Sequence, residues 1–225
     1  MSKTNQPKEG FKFFEANNFN EDRVIDRSAQ FFHELNGRRS IREFSDKKIP
    51  EGVIENIIKT AATAPSGAHK QPWFFAVVTS AEMKKKIREA AEKEEYENYN
   101  GRMSQEWLKD LEKFDTNWQK PFLEVAPALI VIFKQTYEET LDGKAKNYYV
   151  NESVGIAAGM LISAIHHAGL VTLTHTPSPL NFLAELLCRP QNEKPYLLLP
   201  VGFPSKEAQV PLLERKALTD VMKEY

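Results

Sequence analysis

The chain has 225 residues, a length that fits one large domain or two small ones. Apolar residues make up 41% of it, enough for a hydrophobic core, and 30 basic residues against 31 acidic ones give a net charge of −1. This balance disfavours nucleic-acid and membrane-surface partners, which need a broad basic face. The single cysteine, Cys188, cannot form an internal disulfide, and no apolar run is long enough to span a bilayer. With no signal-peptide pattern visible, a cytoplasmic location is expected.

The sequence pattern of the N-terminal half predicts an arm followed by helices and one strand. Residues 1–20 show weak periodicity and are predicted to form the arm, and residues 21–36 carry a short helical pattern. In "PEGVIENIIKTAATAPSG" the apolar residues recur at helical spacing, and the Pro and Gly after them end the helix. "WFFAVVT" is aromatic and β-branched and predicts a buried strand. Thr79 and Glu82 resemble a capping box, which predicts the start of a long charged helix.

The C-terminal half continues the alternation of helices and strands. Residues 101–121 are partly helical and interrupt it, and "ALIVIFK" predicts a second buried strand. "ESVGIAAGMLISAIHHAG" is apolar nearly all round and predicts a core helix that ends at Gly169. "LVTLTHTP" is predicted to be extended, "LNFLAELLC" helical with Cys188 packed in the core, and "YLLLPVG" a strand. With no repeat or linker in view, residues 21–225 are predicted to form a single α+β domain.

The stretch "GRRSIREFSD" concentrates positive charge in a nearly neutral chain. If this segment is extended, Arg38, Ser40 and Arg42 share one face, and two guanidinium groups with a hydroxyl suit a phosphate. A solvated basic loop is the favoured alternative for the string taken alone. No P-loop and no G-x-G-x-x-G occurs, so a glycine-rich phosphate loop is not predicted.

Two further segments carry weaker signals. "TAPSGAHKQPW" forms a turn whose backbone N–H groups could bind an anion or a ring edge, and an ordinary helix-to-strand connection explains it equally well. Glu95 and Tyr99 lie at i, i+4 and could bind an ammonium and a hydroxyl-bearing group. In isolation a solvated acidic helix face is the favoured alternative for that pair.

Metal and hydrolase chemistry find no support in the sequence. His166 and His167 are adjacent, so on a helix they point about 100° apart and are poor joint ligands. No metal site is predicted. Ser40 and Ser66 lack the G-x-S-x-G elbow of serine hydrolases.

Taken together and in order, "RRSIREF", "APSGAHKQPW", "TPSPLNFL", "LLLPVGFPSKE" and "ERK" resemble the nitroreductase-type FMN flavoprotein family. "EEYENYNGRM" and "DLEKFDTNWQKPFLEVAPALIVIFKQ" are similar to the branch of that family that dehalogenates halotyrosines. The resemblance runs from about Glu34 to the C-terminus. It implies a nitroreductase-like α+β fold with a central, mainly antiparallel sheet flanked by helices. It also implies an intertwined homodimer with active sites at the subunit interface, and a lid insertion at about residues 91–121.

The same resemblance implies roles for individual residues. FMN would be bound by Arg38, Arg39, Ser40, Arg42, Pro65, Ser66, Gly67, Thr174, His175, Thr176 and Arg215. Thr176 would also take the catalytic role, with its hydroxyl donating to flavin N5. The substrate amino acid would be bound by Ala68, Glu95, Tyr99 and Lys120.

The implied activity is FMN-dependent reductive dehalogenation of halotyrosines such as 3-iodotyrosine, which yields tyrosine and halide. An external electron donor or reductase would supply the electrons. One open alternative is a general NAD(P)H-dependent nitroreductase or quinone reductase that uses the same FMN. Another is a non-catalytic protein that binds FMN or a halotyrosine. No nucleic-acid, membrane or metal partner is expected.

Overall fold

The structure is a computed structural model and describes residues 6–225. The chain divides into two compact units, Met1–Gly37 and Arg38–Tyr225. In the first unit, helix α1 (Glu21–Asn36) begins where the side chain of Asn20 accepts the backbone N–H of Arg23 at 3.0 Å. The predicted helix over residues 21–36 is confirmed. The division into an arm over residues 1–20 and a domain over 21–225 stays a prediction, and residues 1–5 lie outside the described residues.

The second unit contains all the strands described and six α-helices. Its helices are α2 (Val53–Ala62), α3 (Ala81–Glu97), α4 (Gln105–Glu112), α5 (Phe122–Val125), α6 (Val150–His167) and α7 (Phe182–Leu186). Its strands are β1 (Trp73–Val78), β2 (Ala128–Gln135), β3 (Tyr137–Thr140), β4 (Gly143–Lys146), β5 (Val171–Thr172) and β6 (Glu193–Gly202).

The central sheet has four strands in the order β1-β2-β6-β5, and every neighbouring pair is antiparallel. Residues Ala128–Phe133 of β2 are all buried, because helices cover both faces of the sheet. Ile130 and Ile132 pack in one core with α2 and α6, whereas Leu129, Val131 and Phe133 pack in a second core with α3, α5 and α7. This alternation follows the two-residue period of a strand. The predicted α+β fold with an antiparallel sheet flanked by helices is confirmed.

Three local features differ from the sequence predictions. The N-cap of α3 is Ser80, not Thr79, and its hydroxyl accepts the backbone N–H of Met83 at 3.4 Å. The hairpin β3–β4 was not predicted, although the dipeptide Asp142-Gly143 is a common turn signal. Cys188 is exposed, not packed in the core, because α7 ends at Leu186.

Truncating a fully buried side chain of β2 should make the protein less stable to unfolding. Phe133→Ala removes an aromatic ring from the second core and is expected to lower the free energy of unfolding by about 3–5 kcal/mol. Urea denaturation followed by circular dichroism measures the change. Leu141→Ala, at a fully exposed position, is the control and should cost less than about 0.5 kcal/mol. Equal effects at the two positions would contradict this description of the core.

Candidate functional site

The arginine-rich segment is tied to the edge of the central sheet. Ser40 forms a parallel bridge with Thr172 of β5, and Phe44 forms an antiparallel bridge with Pro204. Ile41 and Phe44 are buried, so the apolar residues of the segment hold it in place. Of the arginines before and between them, Arg39 is exposed, and Arg38 and Arg42 are half-buried.

These arginines line a cavity of about 180 Å³. Its lining residues are Arg38, Arg39, Ser40, Arg42, Phe114, Val210, Pro211, Leu213, Glu214 and Arg215. Arg215, far along the chain, joins the cluster by donating to the backbone oxygen of Arg38 at 3.0 Å. Burial lowers the pKa of Arg38, and the like charges of Arg215 and Arg39 lower it further. The cavity therefore concentrates like charges that a bound anion would neutralise.

The sequence predicts that Arg38, Ser40 and Arg42 share a face, and all three do line this cavity. Arg39 lines it as well, which strict alternation would not allow. The reason is that the segment is irregular and forms only isolated bridges, not a continuous strand.

Glu95 and Lys120 form a buried ion pair. Glu95 lies on α3 and Lys120 immediately precedes Pro121, and their Oε2 and Nζ atoms are 3.3 Å apart. The residues are only 7% and 4% exposed. The Lys120 ammonium also donates to the hydroxyl of Thr116 at 3.3 Å and to the backbone oxygen of Asn117. The sequence alone favoured a solvated acidic face for Glu95; the structure buries it instead.

The pKa shifts of the pair follow from its burial. Burial raises the pKa of the Glu95 carboxyl, and the nearby Lys120 ammonium opposes the rise. Burial lowers the pKa of the Lys120 ammonium, and Glu95 opposes that change. Each group thus depends on its partner to stay charged inside the protein.

Tyr99 and Arg42 link the ion pair to the arginine cavity. Tyr99 lies in a π-helical turn, Asn98–Arg102, and its ring centroid is 5.4 Å from the Lys120 ammonium. The guanidinium of Arg42 lies 5.5 Å from the ring centroid of Phe114. Burial lowers the pKa of Arg42, and the negative charge of Tyr99, in its ionised form, opposes that change.

A second cavity of about 460 Å³ adjoins the first. It is lined by Arg42, Glu43, Lys113, Phe114, Asp115, Thr116, Asn117, Gln119, Pro121, Phe122, Gln209, Val210 and Pro211. The two cavities share four lining residues: Arg42, Phe114, Val210 and Pro211. The cavity lined with arginines and a roomier cavity lined by residues 113–122 therefore lie side by side.

The loop after α2 is held by hydrogen bonds of its own. The Ser66 hydroxyl accepts the backbone N–H of Gln71 at 2.9 Å, and the N–H of Gly67 donates to the hydroxyl of Ser153 at 3.3 Å. A Cβ at Gly67 would meet the backbone oxygen of Tyr148 at 3.0 Å, so this approach to the start of α6 suits glycine. Among the described residues, neither cavity is lined by Pro65, Ser66, Gly67 or Ala68.

The segment Thr174–Thr176 alternates between exposed and buried positions. Thr174 and Thr176 are exposed, whereas His175 exchanges backbone hydrogen bonds with Leu198 of β6 and turns its ring inward against Phe122. Asn98 donates to the backbone oxygen of Ser178 at 3.0 Å, so the turn that carries Tyr99 contacts the chain two residues beyond this segment. Within the described part of the chain, the three residues line neither cavity.

Some residues of the site were not predicted from the sequence. Thr116 and Asn117 hold the Lys120 ammonium, and Phe114 lines both cavities. Their one sequence signal is proximity, since all three precede Lys120 by three to six positions.

Over residues 6–225, no group of three or more His, Cys, Asp or Glu is arranged to hold a metal ion. Over the same residues, no helix combines the length and the apolar character that crossing a bilayer takes.

Comparison with known proteins places this geometry in a family. A family model described as "Nitroreductase family" matches residues 35–203. An iodotyrosine deiodinase of Haliscomenobacter hydrossis is 59% identical over 208 residues, which cover 92% of this chain and 94% of that protein. Iodotyrosine deiodinase 1 of Homo sapiens is 50% identical over 213 residues, or 93% of this chain and 73% of that protein.

A solved structure is also similar. The crystal structure of an oxidized iodotyrosine deiodinase bound to FMN and 3-iodo-L-tyrosine superposes with a TM-score of 0.73 at 28% identity. The match covers 84% of this chain and 96% of that one. The chain therefore belongs to the nitroreductase family.

Acid should destabilise the protein partly through His175. Burial, and then the charges of Lys120 and Arg42, lower the pKa of this imidazole to about 3. The neutral ring therefore stabilises the fold above its unfolded-state pKa of about 6.5, and this stabilisation is lost as pH falls from there towards about 3. Between pH 7 and pH 5 the loss should reach about 2 kcal/mol.

Urea denaturation at the two pH values tests this expectation. His175→Gln should lose about 2 kcal/mol less than the wild type over the same interval, because it lacks the group that must take up the proton. His69→Gln, at an exposed position, is the matched control for loss of a histidine. Parallel pH dependence in the wild type and His175→Gln would contradict the neutral, buried imidazole.

Proposed function

We propose that the protein is an FMN-dependent reductive dehalogenase of halotyrosines such as 3-iodotyrosine. The carbon–halogen bond is replaced by a carbon–hydrogen bond at the expense of two electrons and one proton, and halide leaves. The observation that carries the proposal is the buried pair of Glu95 and Lys120 beside Tyr99, next to a cavity lined with arginines. The names of the similar proteins from Haliscomenobacter hydrossis and Homo sapiens support the same activity.

The donor set of the smaller cavity fits the phosphate of FMN. Guanidinium groups bind phosphate oxygens through planar pairs of N–H donors, and Arg38, Arg39, Arg42 and Arg215 all line this cavity with the hydroxyl of Ser40. When bound, FMN supplies the two electrons of the reaction. The roles proposed for Pro65, Ser66, Gly67, Thr174, His175 and Thr176 beside the flavin, with Thr176 donating to N5, rest on the family resemblance.

The ion pair fits the main-chain groups of an amino acid. In the protein alone Glu95 and Lys120 bind each other, and an incoming zwitterion offers each of them an opposite charge. Glu95 would take the ammonium, Lys120 the carboxylate, and Tyr99 a further hydrogen bond. The backbone N–H of Ala68 would receive the phenolate oxygen. Residues 91–121 would then act as the lid that closes over the ligand and excludes water.

The partner of each subunit is proposed to be a second copy of the chain. In the first unit, α1 buries none of its residues and exposes Val24, Ile25, Phe31 and Phe32. In the second, the C-terminal segment exposes Leu212, Leu218, Val221 and Met222. Groups of exposed apolar side chains such as these are typical of surfaces that bind another protein. An intertwined homodimer with its active sites at the interface would cover these apolar side chains, and analytical ultracentrifugation should give twice the chain mass.

An external donor would reduce the FMN, and the cytoplasmic location stays a prediction.

Removing an arginine of the smaller cavity should weaken FMN binding. Arg38→Ala is expected to raise the dissociation constant of FMN by roughly 10- to 100-fold, the range of a charge-assisted hydrogen bond. Flavin fluorescence titration of the apoprotein measures it. Lys206→Ala removes an exposed positive charge outside both cavities and serves as the control. Full FMN affinity in Arg38→Ala would overturn the placement of the phosphate.

Halotyrosine turnover should depend on the ion pair, whereas general flavin reactivity should not. The double variant Glu95→Ala/Lys120→Ala is expected to lose at least about 100-fold in kcat/KM for 3-iodotyrosine, because both charged contacts of the zwitterion are gone. Anaerobic assays with dithionite, followed by chromatography of tyrosine and iodide, measure this rate. Reduction of a nitroarene by the same protein is the control and should change less than threefold.

The outcome separates the proposal from its rivals. Halotyrosine turnover that survives the double substitution would contradict the assigned substrate site and favour a general nitroreductase. Binding of 3-iodotyrosine without turnover in the wild-type protein would favour a non-catalytic binding protein.

A further inference from the structure

One face of α3 holds the segment through which the chain returns from the lid to β2. Polar residues recur on this face at spacings of three and four: Lys84, Arg88, Glu92 and Glu95. Tyr99, in the π-helical turn that follows α3, continues this spacing. Glu95 and Tyr99 belong to the proposed substrate site. The three residues before them have no role in that site and contact residues 120–126 instead.

Lys84 and Arg88 fix α5 onto α3. The buried ammonium of Lys84 donates to the backbone oxygens of Glu124 and Ala126, both at 2.7 Å. The Nε atom of Arg88 lies 3.1 Å from the carboxylate of Glu124. These contacts lie four to six residues beyond Lys120, so they do not by themselves fix its main chain.

Glu92 contacts the main chain of Lys120 itself. Its Oε1 atom accepts the backbone N–H of Lys120 at 2.7 Å, across 28 residues of sequence. Its Oε2 atom lies 3.8 Å from Nε of Arg88, which keeps the carboxylate turned towards Lys120. The Glu92 side chain is only 18% exposed, so little water competes for the bond.

We propose that Glu92 is a positioning residue of the substrate site, which fixes the main chain of Lys120 so that the ammonium meets the ligand. This inference rests on the proposed function. The anchor lies one helical turn before Glu95, so the same helix sets the positions of both charges that a zwitterion would meet. Glu92 itself touches neither charge of the ligand. The charge of Glu92 also opposes the lowering of the Lys120 pKa, but the proposed anchor is the hydrogen bond from the Lys120 backbone, whose acceptor a glutamine can also supply.

Three variants of the FMN-loaded protein test the inference. Glu92→Ala removes the acceptor, and Glu92→Gln keeps a carbonyl oxygen in its place. Glu89→Ala is the matched control on another face of α3, where Glu89 is exposed and 3.9 Å from Lys85. The affinity for 3-iodotyrosine is read from quenching of flavin fluorescence, kcat and KM from anaerobic turnover, and exchange of the Lys120 amide from hydrogen–deuterium exchange.

We expect Glu92→Ala to raise the dissociation constant and KM for 3-iodotyrosine roughly 10- to 100-fold, with kcat and FMN affinity changed less than about threefold. Exchange at the Lys120 amide should become faster. Glu92→Gln and Glu89→Ala should stay within about threefold of the wild type in every readout.

The inference is overturned if Glu92→Ala binds 3-iodotyrosine as the wild type does. It is also overturned if Glu92→Gln fails as badly as Glu92→Ala, since charge and not the acceptor would then matter. A Glu92→Ala protein that loses FMN to the same degree would indicate a general structural role and would also overturn it. Failure of the wild type itself to bind 3-iodotyrosine would instead refute the proposed function. In that case unchanged exchange at the Lys120 amide in Glu92→Ala would refute the anchor as well.

Discussion

Glu95 and Lys120 carry opposite charges that are buried against each other. The need to keep these two charges together shapes the region around the site. Removing either charge from water costs several kcal/mol, so each is tolerated only while the other lies close by. Their 3.3 Å separation forces the chain that leaves α3 to return to it within 25 residues. The excursion between them carries α4, and the return is fixed to α3 by main-chain and side-chain contacts. A segment that leaves and rejoins one helix is the structural result.

The arginine-lined cavity is built on a different principle. Buried Ile41 and Phe44 and the bridge from Ser40 to β5 anchor the segment that carries Arg38, Arg39 and Arg42. Arg215 joins this segment by donating to the backbone oxygen of Arg38. Arg42 lies at the junction, because it lines both cavities and its pKa responds to Tyr99. One side chain thus connects the cofactor end of the proposed site to its substrate end.

The sequence predicted those features that depend on local pattern. The buried run of β2, the apolar stripe of α2 and the nearly uniform α6 each carry their own periodicity, and each was found within a few residues of its predicted position. Cys188 was placed wrongly, because apolar neighbours suggested a continuing helix where the chain turns with φ of 50°. The arginine cluster and the acidic helix face were ambiguous alone, and only their order along the chain indicated a family. Contacts such as the one between Glu92 and Lys120 join distant residues of ordinary type, so no local pattern could predict them.

The two ends of the site also differ in how they should respond to ionic strength. The Glu95–Lys120 pair is neutral overall, and so is the zwitterionic part of an amino acid. Binding of the zwitterion to this pair adds no net charge to the protein interior, so dissolved ions have little charge to screen. The arginine cavity instead gathers positive charge to meet an anion, and screening weakens that attraction. If the arginine cavity binds an anionic cofactor and the ion pair a zwitterion, as proposed, salt weakens chiefly the first of these two interactions.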